Sequence, residues 1–232
     1  MVNPQCAPHF LCGVWGCMSE TGPAVVWTRA AVQHVFTAAY RGQVEKVTAA
    51  LDAGFPPSVT FGTTNVTLLH YCCYSGYHKR MHDVVLRMLA SGWDPNARDD
   101  TGVTPVHEAC ASGTLEMVQA VVAAGGRLDS LNKFDETPLF CATGRSSTHD
   151  RNAERCRLLQ WLADRPDVDW CHQNEEGETA LEAAMAYGGL PCERHNAIAA
   201  AAMETQRERT ARWTPLRTAF VGTVAVAVIS SG

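Results

Sequence analysis

The sequence lacks the short motifs that mark common catalytic and metal-dependent sites. It contains no glycine-rich phosphate loop followed by Lys and Ser or Thr, no His-Glu-x-x-His, no nucleophile elbow and no Cys-x-x-Cys pair. We therefore expect a protein that is not an enzyme, with no catalytic residues, no metal and no cofactor.

Long apolar runs are also scarce. Pro4, Pro8, His9 and Gly13 interrupt the first residues, which therefore do not resemble a signal peptide. The apolar segment 219–229 would span roughly 16 Å as a helix, against roughly 30 Å for the core of a bilayer. We expect a cytoplasmic protein whose cysteines are reduced.

Positive charge is not in excess either. The net charge is -5 and the pI is about 6.0, and outside the segment 207–212 no stripe of Lys and Arg is visible. Binding to nucleic acid irrespective of sequence depends on clustered positive charge, so no nucleic-acid partner is expected. A content of 46% hydrophobic and 19% charged residues is ordinary for a globular protein and excludes wholesale disorder.

The residues that are present form a pattern that is clearest over 102–129. Thr104 is suited to cap a helix, Pro105 to occupy its first position and Gly113 to stop it. A second helix follows, and two glycines end it. Its apolar residues recur at intervals of three and four: Leu115, Val118, Val121 and Val122. The stretch therefore predicts two short helices in succession.

The same start signal recurs along the chain. Thr137-Pro138-Leu139 begins 33 residues after Thr104, looser copies begin at Thr67 and Thr179, and a copy without a capping residue begins near Gln33. A pair of helices this thin cannot bury its own apolar faces, so stacked neighbours are expected.

This spacing and the pattern Thr-Pro-Leu-His-x-Ala resemble the ankyrin-repeat family over residues 28–206. The resemblance implies an all-α solenoid of about five helix-turn-helix repeats with short β-hairpin connectors. Residues 1–27 would be a non-repeat leader or cap, and residues 207–232 a basic, then apolar tail. The family implies a non-catalytic protein–protein interaction module or scaffold that is monomeric on its own.

Several residues acquire structural roles from this resemblance. His70 and His107 are expected to bond to the backbone near a hairpin and to lock one repeat onto the next, whereas Phe36, Phe140 and Glu182 hold the equivalent place elsewhere. Asp99, Asn132 and Asn174 are suited to fix tight turns through their side-chain oxygens. Small buried positions are expected to be filled by core thiols: Cys72, Cys73 and Cys110.

Two segments depart from the repeat. Extra residues near 77–81 bring His78 and His82 one turn apart, and a polar insertion occupies 144–152. A metal site at the histidine pair, or at Cys6, His9, Cys12 and Cys17, lacks the ligand spacing of common zinc sites. The favoured interpretation of the histidine pair is a solvated helix start, and that of the leader is a hydrophobic cap.

The solenoid that the resemblance implies presents a concave face of first helices and a row of hairpin tips, and exposed positions on both are the candidate binding residues. Tyrosine and arginine are enriched among residues that carry binding energy at interfaces. The residues expected to contact a partner protein are Tyr40, Arg41, Tyr71, Tyr74 and Glu108 on the helices, and Arg98, Asp100, Lys133 and Phe134 on the tips. Each of them is equally compatible with an ordinary surface position.

The tail leaves one alternative open. Residues 219–229 are expected to fold back over the last repeat as an extended segment. In the alternative, the arginines of 207–212 meet acidic lipid headgroups and the protein is a membrane-associated adaptor.

Overall fold

A computed structural model describes residues 27–75, 80–112, 114–144, 152–186 and 196–211. The helices are α1 (Arg29–Tyr40), α2 (Val44–Asp52), α3 (Leu68–Tyr74), α4 (Met81–Ala90), α5 (Pro105–Ser112), α6 (Leu115–Ala123), α7 (Pro138–Thr143), α8 (Asn152–Ala163), α9 (Ala180–Ala186) and α10 over residues 196–211. The strands β1 (Thr60–Phe61) and β2 (Val66–Thr67) pair antiparallel, with Thr60 opposite Thr67.

The helices stack in two rows. Helices α1, α3, α5, α7 and α9 lie side by side in one row, and α2, α4, α6 and α8 form the second. One apolar core runs through the stack, from Val35 in α1 to Met203 in α10. The predicted all-α solenoid is confirmed. Five helix pairs succeed one another in the described residues, and the number of ankyrin repeats stays a prediction.

Threonines mark the helix starts. Thr28 Oγ1 accepts a hydrogen bond from Ala31 N at 3.3 Å, so α1 begins at Arg29. The prediction of an uncapped start near Gln33 was wrong, because Thr28 has no proline after it and does not stand out in the sequence. At α9, Glu182 N bonds to Thr179 Oγ1 and Thr179 N bonds to Glu182 Oε2, which closes a reciprocal capping box.

Three side chains fix the hairpin turns as predicted. Each has one oxygen that accepts backbone N–H groups two and four residues further on, so the turn is held from within. Asp99 Oδ1 bonds to Thr101 N and Val103 N, Asn132 Oδ1 to Phe134 N and Glu136 N, and Asn174 Oδ1 to Glu176 N and Glu178 N, all at 2.8–3.1 Å.

The turns also bond to one another, and we call this series the hairpin row. Asp100 N donates to Thr64 O at 2.9 Å, Lys133 N to Thr101 O at 2.8 Å and Glu175 N to Phe134 O at 3.1 Å. Because Gly102 has φ of +77° and a Cβ there would lie 3.1 Å from Asn132 Cα, this close approach requires glycine. The hairpin row therefore adds backbone bonds between helix pairs.

The predicted core thiols are confirmed. Cys72, Cys73 and Cys110 are free and buried in the apolar core. Burial raises the pKa of the Cys72 and Cys110 thiols to about 12. These cysteines therefore act as small apolar residues and are protonated at neutral pH.

Helix α10 continues past residue 206, where the sequence predicts that the repeats end. It extends to residue 211 through Arg207 and Arg209. Gln206 anchors this extension, since its Oε1 accepts from Trp170 N at 2.7 Å and its Nε2 donates to Asp169 Oδ1 at 2.6 Å. The first basic residues of the predicted tail are thus part of a packed helix.

Several predictions fall on residues outside the described ranges. They are the leader residues Cys6, His9, Cys12 and Cys17, His78 of the histidine pair, the insertion over 145–151 and the tail over 212–232. Trp27 is described, and its ring meets the edge of Phe55 at a centroid distance of 4.8 Å.

A buried arginine joins two helix ends that sequence reasoning did not connect. Arg155 of α8 is 2% exposed. At the end of α7, its Nη1 donates to the carbonyl groups of Ala142 and Gly144. At the end of α5, its Nη2 donates to Ala111 O at 3.2 Å. The last carbonyls of a helix lack partners within it and carry partial negative charge, so a guanidinium stabilises them.

We predict that Arg155→Met destabilises the fold by about 3 kcal/mol, because it leaves several buried carbonyl groups without a donor. Urea unfolding followed by circular dichroism measures this change. The matched control is Arg157→Met on the same helix, whose salt bridges to Glu116 and Glu154 are exposed and contribute less than about 1 kcal/mol. Equal effects of the two substitutions would contradict the bridging role of Arg155.

Candidate functional site

Four of the predicted binding residues line one cavity. Tyr40 ends α1, Tyr71 and Tyr74 lie on α3, and Glu108 lies on α5. The three helices are neighbours in the first row, so residues far apart in sequence meet on its open face. The cavity has a volume of about 200 Å³ and is lined by Tyr40, Val66, His70, Tyr71, Tyr74 and Glu108. We call it the tyrosine cavity.

The tyrosine rings are arranged in a fixed geometry. Tyr40 and Tyr74 are nearly parallel, with ring centroids 6.2 Å apart and an interplanar angle of 6°. Tyr71 stands edge-on to Tyr40 at 6.4 Å and edge-on to the buried Phe36 at 5.4 Å. Tyr71 therefore ties the cavity to the core, whereas Tyr40 and Tyr74 remain 54% and 42% exposed.

His70 lines the cavity and links two helix pairs. Its Nδ1 accepts from Thr67 N at 3.3 Å, so its Nε2 carries the proton and donates to Val103 O at 3.1 Å. His107 repeats this arrangement with Thr104 N and Glu136 O, at 3.1 and 3.2 Å. The predicted locking role of both histidines is confirmed.

Burial keeps both histidines neutral. It lowers the pKa of His70 below its ordinary value and the pKa of His107 to about 4, despite the hydrogen bonds to Val103 and Glu136 that act in the opposite direction. The histidine in the cavity therefore contributes no positive charge at neutral pH.

Glu108 is the acidic side chain of the cavity. It is half-buried, and burial together with the charge of Asp99 raises the pKa of its carboxyl to about 7. Within the described residues, its carboxylate has neither a hydrogen bond nor a salt bridge. The open face thus carries a carboxylate that has no partner among the residues that the structure describes.

The other predicted residues lie apart from the cavity. Arg41 is exposed at the end of α1 and is absent from the described lining. In the hairpin row, Arg98 Nη2 donates to Leu131 O at 2.7 Å, and Asp100 Oδ1 accepts from Asn65 Nδ2 at 2.9 Å. These two side chains support the fold, whereas Lys133 and Phe134 are exposed, Phe134 by 57%.

Sequence reasoning missed three contributors to the cavity. Val66 and His70 line it, and Asp99 acts on Glu108 through its charge. The sequence indicates only structural roles for His70 and Asp99, and their second effect follows from their placement near Glu108. No signal in the sequence places Val66 of β2 at this position.

The comparisons with known proteins agree with the geometry. A family model described as ankyrin repeats in three copies matches residues 77–154. Cyclin-dependent kinase 4 inhibitor B of Bos taurus is 35% identical over 111 residues, which cover 47% of this chain and 79% of the relative. The chain belongs to the ankyrin-repeat family.

Other relatives share shorter parts of their length. An ankyrin repeat-containing protein of Schizosaccharomyces pombe is 32% identical over 109 residues, and the chain spans 47% of that protein. The SMC5-SMC6 complex localization factor protein 1 of Homo sapiens is 33% identical over 88 residues, 8% of its length. Ankyrin repeats are generally protein–protein interaction modules and are typically non-enzymatic.

The described residues bear on the metal and membrane alternatives raised by the sequence. In the part of the chain that the structure describes, no group of three or more His, Cys, Asp or Glu side chains is placed to hold a metal ion. No described helix combines the length and the apolar character that crossing a bilayer requires.

The unpaired carboxylate predicts an unusual pH dependence of stability. Between about pH 4.5 and 7, the folded state holds a proton on Glu108 that the unfolded state has lost. The contribution of Glu108 to the free energy of unfolding therefore falls as pH rises. His107, with a folded pKa of about 4 against 6.5 unfolded, has the opposite effect between those values, and His70 acts in the same direction as His107.

We predict that Glu108→Gln has a higher free energy of unfolding than wild type. This gain should be about 2 kcal/mol larger at about pH 8 than at about pH 5. Urea unfolding at the two pH values measures the difference. Glu116→Gln removes the same charge from an exposed position and serves as the control, with no such pH dependence expected. A difference between Glu108→Gln and wild type that does not change with pH would show that Glu108 ionises normally.

Proposed function

We propose that this ankyrin domain is a non-catalytic module that binds a partner protein on the open face of α1, α3 and α5, at the tyrosine cavity. The observation that carries the proposal is the meeting of Tyr40, Tyr71, Tyr74 and Glu108 around one cavity. Three of these four residues are tyrosines, a residue type enriched where interfaces gain their binding energy.

The fold itself makes little use of this surface. Tyr40 and Tyr74 leave much of their ring area in solvent, and the Glu108 carboxylate is unpaired among the described residues. Large apolar rings in solvent and a half-buried charge both cost free energy. Their burial and pairing against a partner would recover it, which supports this face as the binding surface.

The hairpin row supplies a second region of contact in this proposal. Lys133 and Phe134 project from one turn, whose backbone is held by bonds to both neighbouring turns. An exposed aromatic ring on a rigid turn loses little conformational entropy on binding. Phe134 is therefore the tip residue best suited to contact the same partner.

The relatives support a protein as the partner class. Cyclin-dependent kinase 4 inhibitor B, from Bos taurus and Rattus norvegicus, is named for inhibiting a protein kinase, and the chain spans 79% and 78% of these relatives. A domain of this family that acts by occupying the surface of another protein needs no catalytic residues of its own.

We predict that the double variant Tyr40→Ala with Tyr74→Ala loses its partner in an affinity pulldown from the native cell. Tyr71 is left intact because its ring packs against Phe36 in the core. Hot-spot aromatic residues cost about 2 kcal/mol or more each when truncated, so retention should fall by well over tenfold.

The matched control for this pulldown is Leu86→Ala. Leu86 is 43% exposed on α4, in the second row of helices, and should retain the partner. Circular dichroism and thermal unfolding verify that both variants are folded. Loss of the partner with Leu86→Ala, together with retention by the tyrosine variant, would place the binding surface on the opposite side and contradict the proposal.

A further inference from the structure

The size of the tyrosine cavity restricts its occupant. A volume of about 200 Å³ lies below the roughly 300–1,000 Å³ of pockets that enclose drug-sized ligands. An engineered cavity of about 150 Å³ accommodates one benzene molecule, so this cavity is suited to a single side chain. The inference rests on the proposed function, because a partner protein would present that side chain.

The charge of the cavity favours a cation. Glu108 is the acidic group of the described lining, which contains no Arg or Lys, and His70 is held neutral. Asp99 adds a second negative charge close enough to act on Glu108. An apolar occupant would bury this carboxylate further without a partner, and an acidic occupant would be repelled by it.

In the part of the chain that the structure describes, the positive groups near the cavity have other partners or lie apart from Glu108. Arg98 uses Nη2 to hold the Leu131 carbonyl in the hairpin row. Arg155 is buried at the ends of α5 and α7, where it donates to backbone carbonyl groups. Arg41 follows Tyr40 at the exposed end of α1, outside the described lining. Among the described residues Glu108 thus has no counter-charge, and a ligand can supply one.

The tyrosines provide aromatic faces beside this charge. The faces of aromatic rings carry negative electrostatic potential and attract cations within about 6 Å. Tyr40 and Tyr74 present two nearly parallel, partly exposed rings, and the ring of Tyr71 forms a T-shaped pair with that of Tyr40. A cationic group in the cavity would thus meet a carboxylate and at least one ring face.

We propose that the tyrosine cavity is a recognition site for an arginine side chain on a basic segment of the partner protein. The planar guanidinium stacks on a tyrosine face and donates two parallel hydrogen bonds to a carboxylate. The lysine ammonium is more strongly hydrated and offers no planar fork, so it binds here more weakly than arginine. A bound arginine also gives the Glu108 carboxylate the positive partner that it lacks among the described residues of the free protein.

The test uses the full chain labelled with ¹⁵N and three blocked tripeptides, Gly-Arg-Gly, Gly-Lys-Gly and Gly-citrulline-Gly. Citrulline has the shape of arginine without its charge. The arginine peptide is expected to shift the amide signals of Glu108 and Tyr74 saturably, with a Kd in the millimolar range. The lysine peptide should bind more weakly, and the citrulline peptide at least about tenfold more weakly, because it forms no charge-assisted pair.

Two variants locate the binding. Glu108→Gln, which keeps the size of the side chain, should weaken the arginine peptide about tenfold, to the level of the citrulline peptide. Glu116→Gln removes an equal charge from α6 and should leave the Kd unchanged. Equal binding of the arginine and citrulline peptides, equal binding by Glu108→Gln and wild type, or no saturable shift at all would each overturn the arginine site.

The same variants separate this inference from the proposed function. If Glu108→Gln retains the partner in the pulldown while the Tyr40→Ala and Tyr74→Ala double variant loses it, the arginine site is wrong and the binding face stands. If the double variant also retains the partner, the binding face is wrong. The tripeptide titration then decides the arginine site on its own.

Discussion

Burial between neighbouring helix pairs is the constraint on which the structure depends. Helices as short as α3 (Leu68–Tyr74) and α7 (Pro138–Thr143) are far below the length at which an isolated helix is stable in water. Each gains its stability from the apolar residues of the pairs on either side. His70 and His107 set the alignment of these contacts, because each ring bonds to its own helix start and to the backbone of the next hairpin.

This stacking also creates the candidate site. Tyr40, Tyr74 and Glu108 come from three consecutive first helices, and they are neighbours only because those helices lie side by side. The core is built from other faces of the same helices, so these residues are free to serve binding. The cost is visible at Glu108, where burial and Asp99 oppose ionisation. Stability is thus given up at the place where binding is proposed.

Local signals made much of the fold predictable from the sequence. The start at Thr104-Pro105, the turn residues Asp99, Asn132 and Asn174, and the histidine roles depend on contacts within a few residues or one repeat, which a periodic sequence repeats. Four of the cavity residues were also named from the sequence, as exposed positions on the first helices. Their convergence around Glu108 was not predictable, since it depends on how far each ring extends across the stack.

The features that were missed depend on distant contacts. Arg155 follows the polar insertion of the fourth repeat, and nothing in its sequence context indicates that it reaches the ends of both α5 and α7. The bonds along the hairpin row join main-chain atoms, which leave no trace in residue type. The extension of α10 depends on Gln206 bonding to Asp169 and Trp170, residues of a preceding connector.

Native-state hydrogen exchange at the hairpin row tests the stacked arrangement most directly. The amides of Asp100, Lys133 and Glu175 belong to exposed residues, yet each bonds to the carbonyl of the preceding turn. We predict that all three exchange far more slowly than unprotected amides, because exchange requires neighbouring helix pairs to separate. Exchange at the rate of unstructured amides, in a protein whose helical amides are protected, would contradict the side-by-side stacking.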